Sequence, residues 1–481
     1  MSKSLAKNSL YLVLYRLLTV LFPLVTVSYA SHIIFSDGIG RVASAQNIVQ
    51  YFVLIAGLGI PNYGIREVSK VRQSGIDVNK LFTELISINT ISTFLCLLIY
   101  YILVRDLSVY ETDPLLYNII GLTVFLNFFN VDWFYQGNEE FAYIAKRSFL
   151  VKLLSLFLLL TFVNDKDDYV VYASINLFGV AGNNILNCYN LKKYKVRFQF
   201  QNLQICRHLK PIFILLSTTI AIELYTMVDT TMLTFMCTSS QVAYYTNSIK
   251  IVRLLVIFVT SIGGVLLPRL SYYKFQGMMS ECENVVNRVF SYMFLLLIPC
   301  GVGLYFLSGS LVRVLFGQSF IGGIHTMEIS SILVFALGFS NLFGTQVLLT
   351  FNEEKKLLYA TLLGAISNLI LNVILIPLYD QNGAVIASIV SEVLVTLFTY
   401  YYAKKHLRIR LEKKGVTSIL LSTLFMAILL YSLKSFVSNE LLYILLGSAS
   451  GAVVYFATLL MLRNSFFLDL LSVVKLNFIH K

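Results

Sequence analysis

The sequence predicts an all-α integral membrane protein. About fourteen transmembrane helices form two six-helix lobes in parallel repeat, with two additional helices at the C-terminal end. Three observations predict this. Of the 481 residues, 57% are apolar and only 13% charged, against about 25% charged in a soluble protein. The apolar residues are gathered into long runs, such as 153–163 and 357–378. The linkers between runs are too short for a soluble domain. A bilayer span takes about 20 apolar residues, and its backbone must be satisfied within the segment, so the runs are helices. The alternating pattern of an outer-membrane barrel is absent.

In chain order the spans are 9–34, 40–60, 81–104, 115–136, 148–163, 169–190, 211–235, 243–267, 288–308, 326–350, 357–378, 383–402, 416–436 and 441–462. The first contains Val27-Ser28-Tyr29-Ala30, which loosely resembles a leader cleavage site. Its apolar run exceeds the ~7–15 residues of a leader core, so it is expected to stay as an anchor. The fifth span is short and reaches full length when Lys146 and Arg147 snorkel at its start.

Net charge is +12. Of the 37 Lys and Arg residues, 28 fall in the termini and even-numbered loops, five in odd-numbered loops and four within spans. Basic loops face the cytoplasm, so both termini are expected there. The largest basic clusters are Lys192, Lys193, Lys195, Arg197, Arg207 and Lys210, then Lys404, Lys405, Arg408, Arg410, Lys413 and Lys414. They follow topology and carry no base-stacking module, so no nucleic acid is expected. The six cysteines are scattered singly, without the spacing of a metal or redox motif. No metal or cofactor is expected.

An internal repeat runs at an offset of 214 residues. Asn138-Glu139-Glu140 recurs as Asn352-Glu353-Glu354, Ala173-Ser174-Ile175 as Ala387-Ser388-Ile389, and Asn127 as Asn341. The repeating unit is six helices. An even number preserves orientation, so the halves are related by an axis along the membrane normal. The expected divisions are 1–205, 206–410 and 411–481. Pro61 and Pro268 occupy corresponding places at the ends of spans two and eight, each preceded by glycines, and read as helix stops.

A charge near the bilayer centre costs at least ~2.5–3.5 kcal/mol, so it faces a partner or a wet cavity. Arg16 lies in span one with no acid beside it. Glu223 and Asp229 lie in span seven, Lys250 and Arg253 in span eight. Counted from the turn between those spans, Asp229 matches Lys250 in depth and Glu223 matches Arg253. They either neutralise one another or leave the two cations for an anion. Glu223 and Asp229 are six apart, about 240° around a helix, and cannot point at one spot. Glu392, in the middle of span twelve, is a candidate proton or ion site. Lys152 and Asp132 sit near span ends and read as structural and interfacial.

Gly59-Ile60-Pro61-Asn62-Tyr63-Gly64-Ile65-Arg66-Glu67 after span two, and Asp132-Trp133-Phe134-Tyr135-Gln136-Gly137 closing span four, carry a family likeness. With the helix layout over almost the entire chain, they resemble the polysaccharide transporter family, most closely the Wzx-type flippases of bacterial O-antigen and capsule repeat units. That family belongs to the multidrug/oligosaccharidyl-lipid/polysaccharide superfamily. The resemblance implies two lobes around a cavity that opens alternately to each side of the bacterial plasma (inner) membrane. It implies a substrate of undecaprenyl diphosphate carrying a short oligosaccharide, moved from the inner to the outer leaflet. Arg16, Lys250 and Arg253 would then meet the diphosphate. Tyr11, Tyr15, Asn47, Gln50, Tyr244, Tyr245 and Asn247 would offer sugar-binding surface. Glu223, Asp229 and Glu392 would pair charges or couple an ion. Expected partners are the lipid-linked oligosaccharide, membrane lipids, a coupling proton or monovalent cation, and a polysaccharide polymerase. A related lipid II flippase and a cation-coupled drug antiporter are the alternatives. An enzyme is disfavoured: the longest outer segment, 309–325, has only Arg313 as a charge before its final histidine.

Overall fold

The computed structural model describes residues 5–74, 78–261, 266–410 and 412–479. Helices account for most of them, and no strand occurs among the described residues. The chain divides into two compact units, Met1–Ala243 and Tyr244–Lys481.

In the first unit, α1 (Leu5–Gly57) runs for 53 residues and carries two of the expected spans. The linker expected near residue 35 is a kink within this helix, at Phe35 with φ 55° and ψ −177°. The chain leaves α1 through Leu58 and Gly59, both at positive φ, and enters α2 (Ile60–Ser74). Gly59 has two reasons to be glycine. Its φ is 78°, and a Cβ there would lie 2.9 Å from the Leu216 nitrogen and 3.0 Å from the Ile212 carbonyl oxygen. Pro61 falls in the first turn of α2, where a missing N–H costs no helical hydrogen bond. Then come α3 (Val78–Val104), α4 (Ser108–Thr112), α5 (Pro114–Leu126), α6 (Asp132–Gly137), α7 (Phe141–Phe162), α8 (Tyr169–Asn190) and α9 (Cys206–Met236). The division between the units falls within α10 (Ser239–Thr260), whose residues from Tyr244 on belong to the second.

The two motifs that carried the family likeness pack on each other. Gly64 of α2 lies so close to Trp133 of α6 that a Cβ would sit 2.6 Å from the indole. Gly137 meets Val68 in the same way, at 2.7 Å. Ile60, Tyr63, Phe82, Leu85, Trp133, Phe134 and Tyr135 join in one buried cluster. The small residues let backbones approach, and the aromatic rings fill the remaining space.

The second unit continues with α11 (Leu266–Phe275), α12 (Met279–Phe316), α13 (Ile324–Ser330), α14 (Leu333–Ser340), α15 (Glu354–His406), α16 (Lys413–Phe436), α17 (Glu440–Met461) and α18 (Ser465–Ile479). The 53 residues of α15 again hold two expected spans, here kinked at Asp380 with φ 51°. The side chain of Pro268 lies outside the described residues. Helices α16 and α17, which fall outside the repeat, pack on α12 through Leu295, Leu307, Ile419, Met426, Leu430, Tyr443 and Tyr455. Gly447 and Gly451 admit the side chains of Leu430 and Met426 at 3.1 and 3.3 Å from where their Cβ atoms would be. Tyr443 and Tyr455 donate their hydroxyls to the carbonyls of Leu430 and Leu295, at 2.9 and 2.7 Å.

Among the described residues seven helices are long and apolar enough to cross a membrane, or eight if a segment bent by 47° at residues 331–332 counts as one span. Two of these stretches, Leu21–Arg72 (most of α1 with α2) and Glu354–His406 (α15), are 52 and 53 residues long and contain the breaks described above. Helices α7 and α8 have the length, 22 residues each, about 33 Å. They are more polar, with Lys146, Arg147 and Lys152 on one and five asparagines on the other.

The repeat has a structural counterpart. Asn127 opens a 3₁₀ turn and Asn341 a π-helical stretch, so helix geometry is interrupted at both matching positions. The turns that follow are alike. Glu140 donates its N–H to the Tyr135 carbonyl and Glu353 its N–H to the Leu348 carbonyl, each at 2.9 Å. The preceding residues, Glu139 and Asn352, have φ of 57° and 59°. The turn is thus offset by 213 residues, one fewer than the sequence match.

Candidate functional site

Polar side chains in a membrane protein are interpretable by whether they have partners. In the first unit, most do. Arg147 of α7, whose side chain is only 2% exposed, pairs with Asp132 at 2.8 Å. It also donates from Nε to Asn183 Oδ1 at 3.0 Å and from Nη1 to Asn187 Oδ1. Asn187 in turn donates to Asp132 Oδ1 at 2.5 Å. Asp132, expected to be an interfacial anchor, is the acceptor of this network. Its sequence signal was available: Asn183 and Asn187 are four apart, so they share one face of α8, opposite Arg147 of the neighbouring helix.

A second network fixes the start of α9. Glu84 of α3 is fully buried. It accepts from Arg207 Nη2 at 2.7 Å, from His208 Nε2 at 2.8 Å and from the Gln204 N–H at 2.7 Å. On its other side, His208 Nδ1 lies 2.7 Å from the Tyr63 hydroxyl, so the ring bridges Glu84 and Tyr63. Neither Glu84 nor His208 stood out in the sequence, because each partner lies on a different element more than a hundred residues away.

The expected site residues of this unit are distributed as follows. Arg16 lies on α1, but its side chain is outside the described residues. Tyr15 is half-buried and packs on the aromatic cluster of the two motifs. Asn47 donates to Thr231 Oγ1 at 2.7 Å, and Tyr51 shares that oxygen at the same distance. With Ser44 to Thr234 at 3.0 Å, these contacts join α1 to α9. Asp229 is buried. Glu223 is half-buried and accepts from Thr226 one turn along. The different burial of these two acids fits their separation around α9. Gln50 is exposed. Lys152 donates to the Leu18 carbonyl at 2.6 Å and sits 5.4 Å from the Phe22 ring, a structural role.

In the second unit the cations differ. Lys250 and Arg253 are three apart on the exposed stripe of α10, while Ile251 and Val252 are buried. Lys250 donates to Asn247 Oδ1 at 3.1 Å. Neither cation has an ion-pair partner among the described residues. Asn247 itself is 1% exposed, and its Nδ2 has no hydrogen-bond partner among them. Tyr244 is engaged in packing: it donates to the Ser319 carbonyl at 3.0 Å and lies on Gly322 and Gly323. Tyr245 is buried, with its hydroxyl 3.4 Å from that of Ser388. Glu392 is 4% exposed and accepts from Ser340 across α14 and α15.

These features define a multi-span helical membrane protein with buried ion-pair networks around Arg147 and Glu84 and two exposed cations, Lys250 and Arg253, on α10. The solved structure of the "Lipid II flippase MurJ, inward closed conformation" has this fold: TM-score 0.78, 17% identity, 97% of this chain and 100% of that one covered. An inward-facing multidrug resistance MATE family transporter gives TM-score 0.63 at 11% identity, over 83% of this chain and 97% of that one. Residues 5–274 match the family model "Polysaccharide biosynthesis protein", and residues 145–449 match "Lipid II flippase MurJ". The chain belongs to the polysaccharide biosynthesis protein family, and it shares its fold with the flippase and multidrug transporter structures. A Shigella dysenteriae protein named for O-antigen transport is 24% identical over 399 residues, covering 82% of this chain and 98% of the relative. The protein is thus a polysaccharide-precursor flippase by family, and its relatives are transporters rather than catalysts.

Proposed function

We propose that this protein moves undecaprenyl-diphosphate-linked oligosaccharide repeat units from the inner to the outer leaflet of the bacterial plasma membrane, for O-antigen or capsule synthesis. The observation that carries the reading is the pair of exposed cations on α10, Lys250 and Arg253, without ion-pair partners among the described residues. Facing hydrocarbon, each would cost at least ~2.5–3.5 kcal/mol. Facing a watery route, they suit the two phosphates of a lipid-linked sugar. Arg16 would add a third cation from α1. The lipid tail can stay in the bilayer, where each CH₂ contributes about 0.8 kcal/mol. Six-helix lobes 1–205 and 206–410 would open alternately around the headgroup. Glu392 would take a coupling proton or monovalent cation, and Glu223 and Asp229 would balance charge. A polysaccharide polymerase would take up the product.

The test is deletion of the gene, followed by analysis of surface glycan and lipid-linked intermediates. The intermediate should accumulate on the inner leaflet while surface polysaccharide is lost. Unchanged polysaccharide without accumulation refutes the reading. A second reading, translocation of lipid II, is favoured by the family match over residues 145–449. Rescue of cells depleted of their own lipid II flippase would select it.

A further inference from the structure

The segment between α8 and α9 combines three features that no step above uses. It leaves α8 through a 3₁₀ turn, Leu191–Tyr194, and Lys195 at φ 52°. It then crosses the start of α3 without helical structure. Side chains of α3 hold its backbone in place: the Arg197 N–H donates to Asn79 Oδ1 at 2.8 Å and the Gln199 N–H to Thr83 Oγ1 at 2.9 Å. The alternate N–H groups therefore point at α3. Phe198 and Phe200, two apart, stack on each other with centroids 6.0 Å apart and planes 13° from parallel. They are 63% and 70% exposed. Lys192, Lys193, Lys195 and Arg197 flank them, all exposed, and residues 191–205 contain no acid.

This ledge fits neither bulk phase. Its irregular backbone is unsuited to hydrocarbon, where every N–H and C=O needs a fixed partner. Its two large exposed rings are unsuited to water. The headgroup layer resolves both demands, because aromatic rings settle there and cations meet lipid phosphates. The ledge also follows directly on the end of α8 and lies against the first turns of α3, beside the end of an apolar helix long enough to span a membrane. Four exposed cations in a stretch of chain without an acid, the nearby Glu140 being engaged by Tyr194, favour an anionic surface. We propose that residues 192–200 form a binding site for anionic phospholipid headgroups, with Phe198 and Phe200 inserted among the acyl-chain ends. A protein partner is the competing occupant. The proposal does not depend on what the protein transports.

The experiment uses the purified full-length protein and phosphatidylglycerol or phosphatidylcholine, with lipid binding read by native mass spectrometry. The combined variant K192Q/K193Q/K195Q/R197Q should weaken phosphatidylglycerol binding by up to about five-fold per charge removed, leaving phosphatidylcholine unaffected. The matched variant K404Q/K405Q/K413Q/K414Q should change it much less. Equal losses from both variants, or no loss from the first, would overturn the proposal. In Phe200→Trp, reconstituted in bilayers, brominated phosphatidylglycerol should quench the added emission and aqueous iodide should not. The reverse pattern would refute insertion and favour a soluble partner. The protein's single native tryptophan, Trp133, lies 5.7 Å from Phe82, which itself lies 6.1 Å from Phe198. Unchanged Trp133 emission in the charge variants confirms that they remain folded.

Discussion

Arg147 and Arg253 are the same residue type on helices of the same membrane protein, and they are treated oppositely. Arg147 is enclosed, with one carboxylate and two asparagine side chains converging on its guanidinium. Arg253 is exposed and has no ion-pair partner among the described residues. The first arrangement satisfies a cation that has been removed from water, and it ties α6, α7 and α8 together. The second leaves a cation available to something that is not part of the chain. The contrast teaches that the cost of a membrane charge is a poor guide to function until its partners are known.

The comparison can be tested directly. The largest effect is expected at Arg147→Ala, which takes the buried guanidinium away from Asp132, Asn183 and Asn187. It should cost about 3–5 kcal/mol, with membrane abundance and thermal stability falling together. Arg253→Ala should do the opposite. Surface-glycan complementation should drop at least about thirty-fold, corresponding to loss of one buried charge contact to the ligand, at unchanged abundance. If Arg253→Ala protein disappears from the membrane, Arg253 is a scaffold cation like Arg147 and the distinction fails. Gly64→Ala forces a methyl group to 2.6 Å from the Trp133 ring. A loss of about 1–3 kcal/mol from overpacking is expected, read as a lowered melting temperature in detergent. The smallest effect is expected at Tyr63→Phe, which removes only the hydrogen bond to His208. Stability should fall by roughly 1 kcal/mol, and a much larger loss would show that the Glu84 network acts as a unit.

Much of the architecture was legible because hydrocarbon imposes simple rules on sequence. The long apolar runs, the short linkers and the bias of Lys and Arg were enough for fold class and for membrane residence. One local counterpart of the sequence repeat is present as well: similar turns at Glu140 and Glu353, shifted by one residue relative to the sequence match. Two linkers are tighter than the sequence suggested. At Phe35 and Asp380 one helix gives way to the next through a single non-helical residue at positive φ, so each expected linker is a sharp kink rather than a loop of several residues. Among candidate site residues, the unusual depth of Lys250 and Arg253 was visible in the sequence. The engagement of Tyr244 and Tyr245 in packing was not, because Gly322, Gly323 and Ser388 lie far along the chain.

The sequence by itself determined that this chain lives in a bilayer as helices, since apolar length and charge bias are local properties that water and lipid read directly. Only the tertiary structure decided which charges are scaffold. Glu84 and Arg147 acquire their roles from groups on other elements, and such neighbours exist only once the helices are packed.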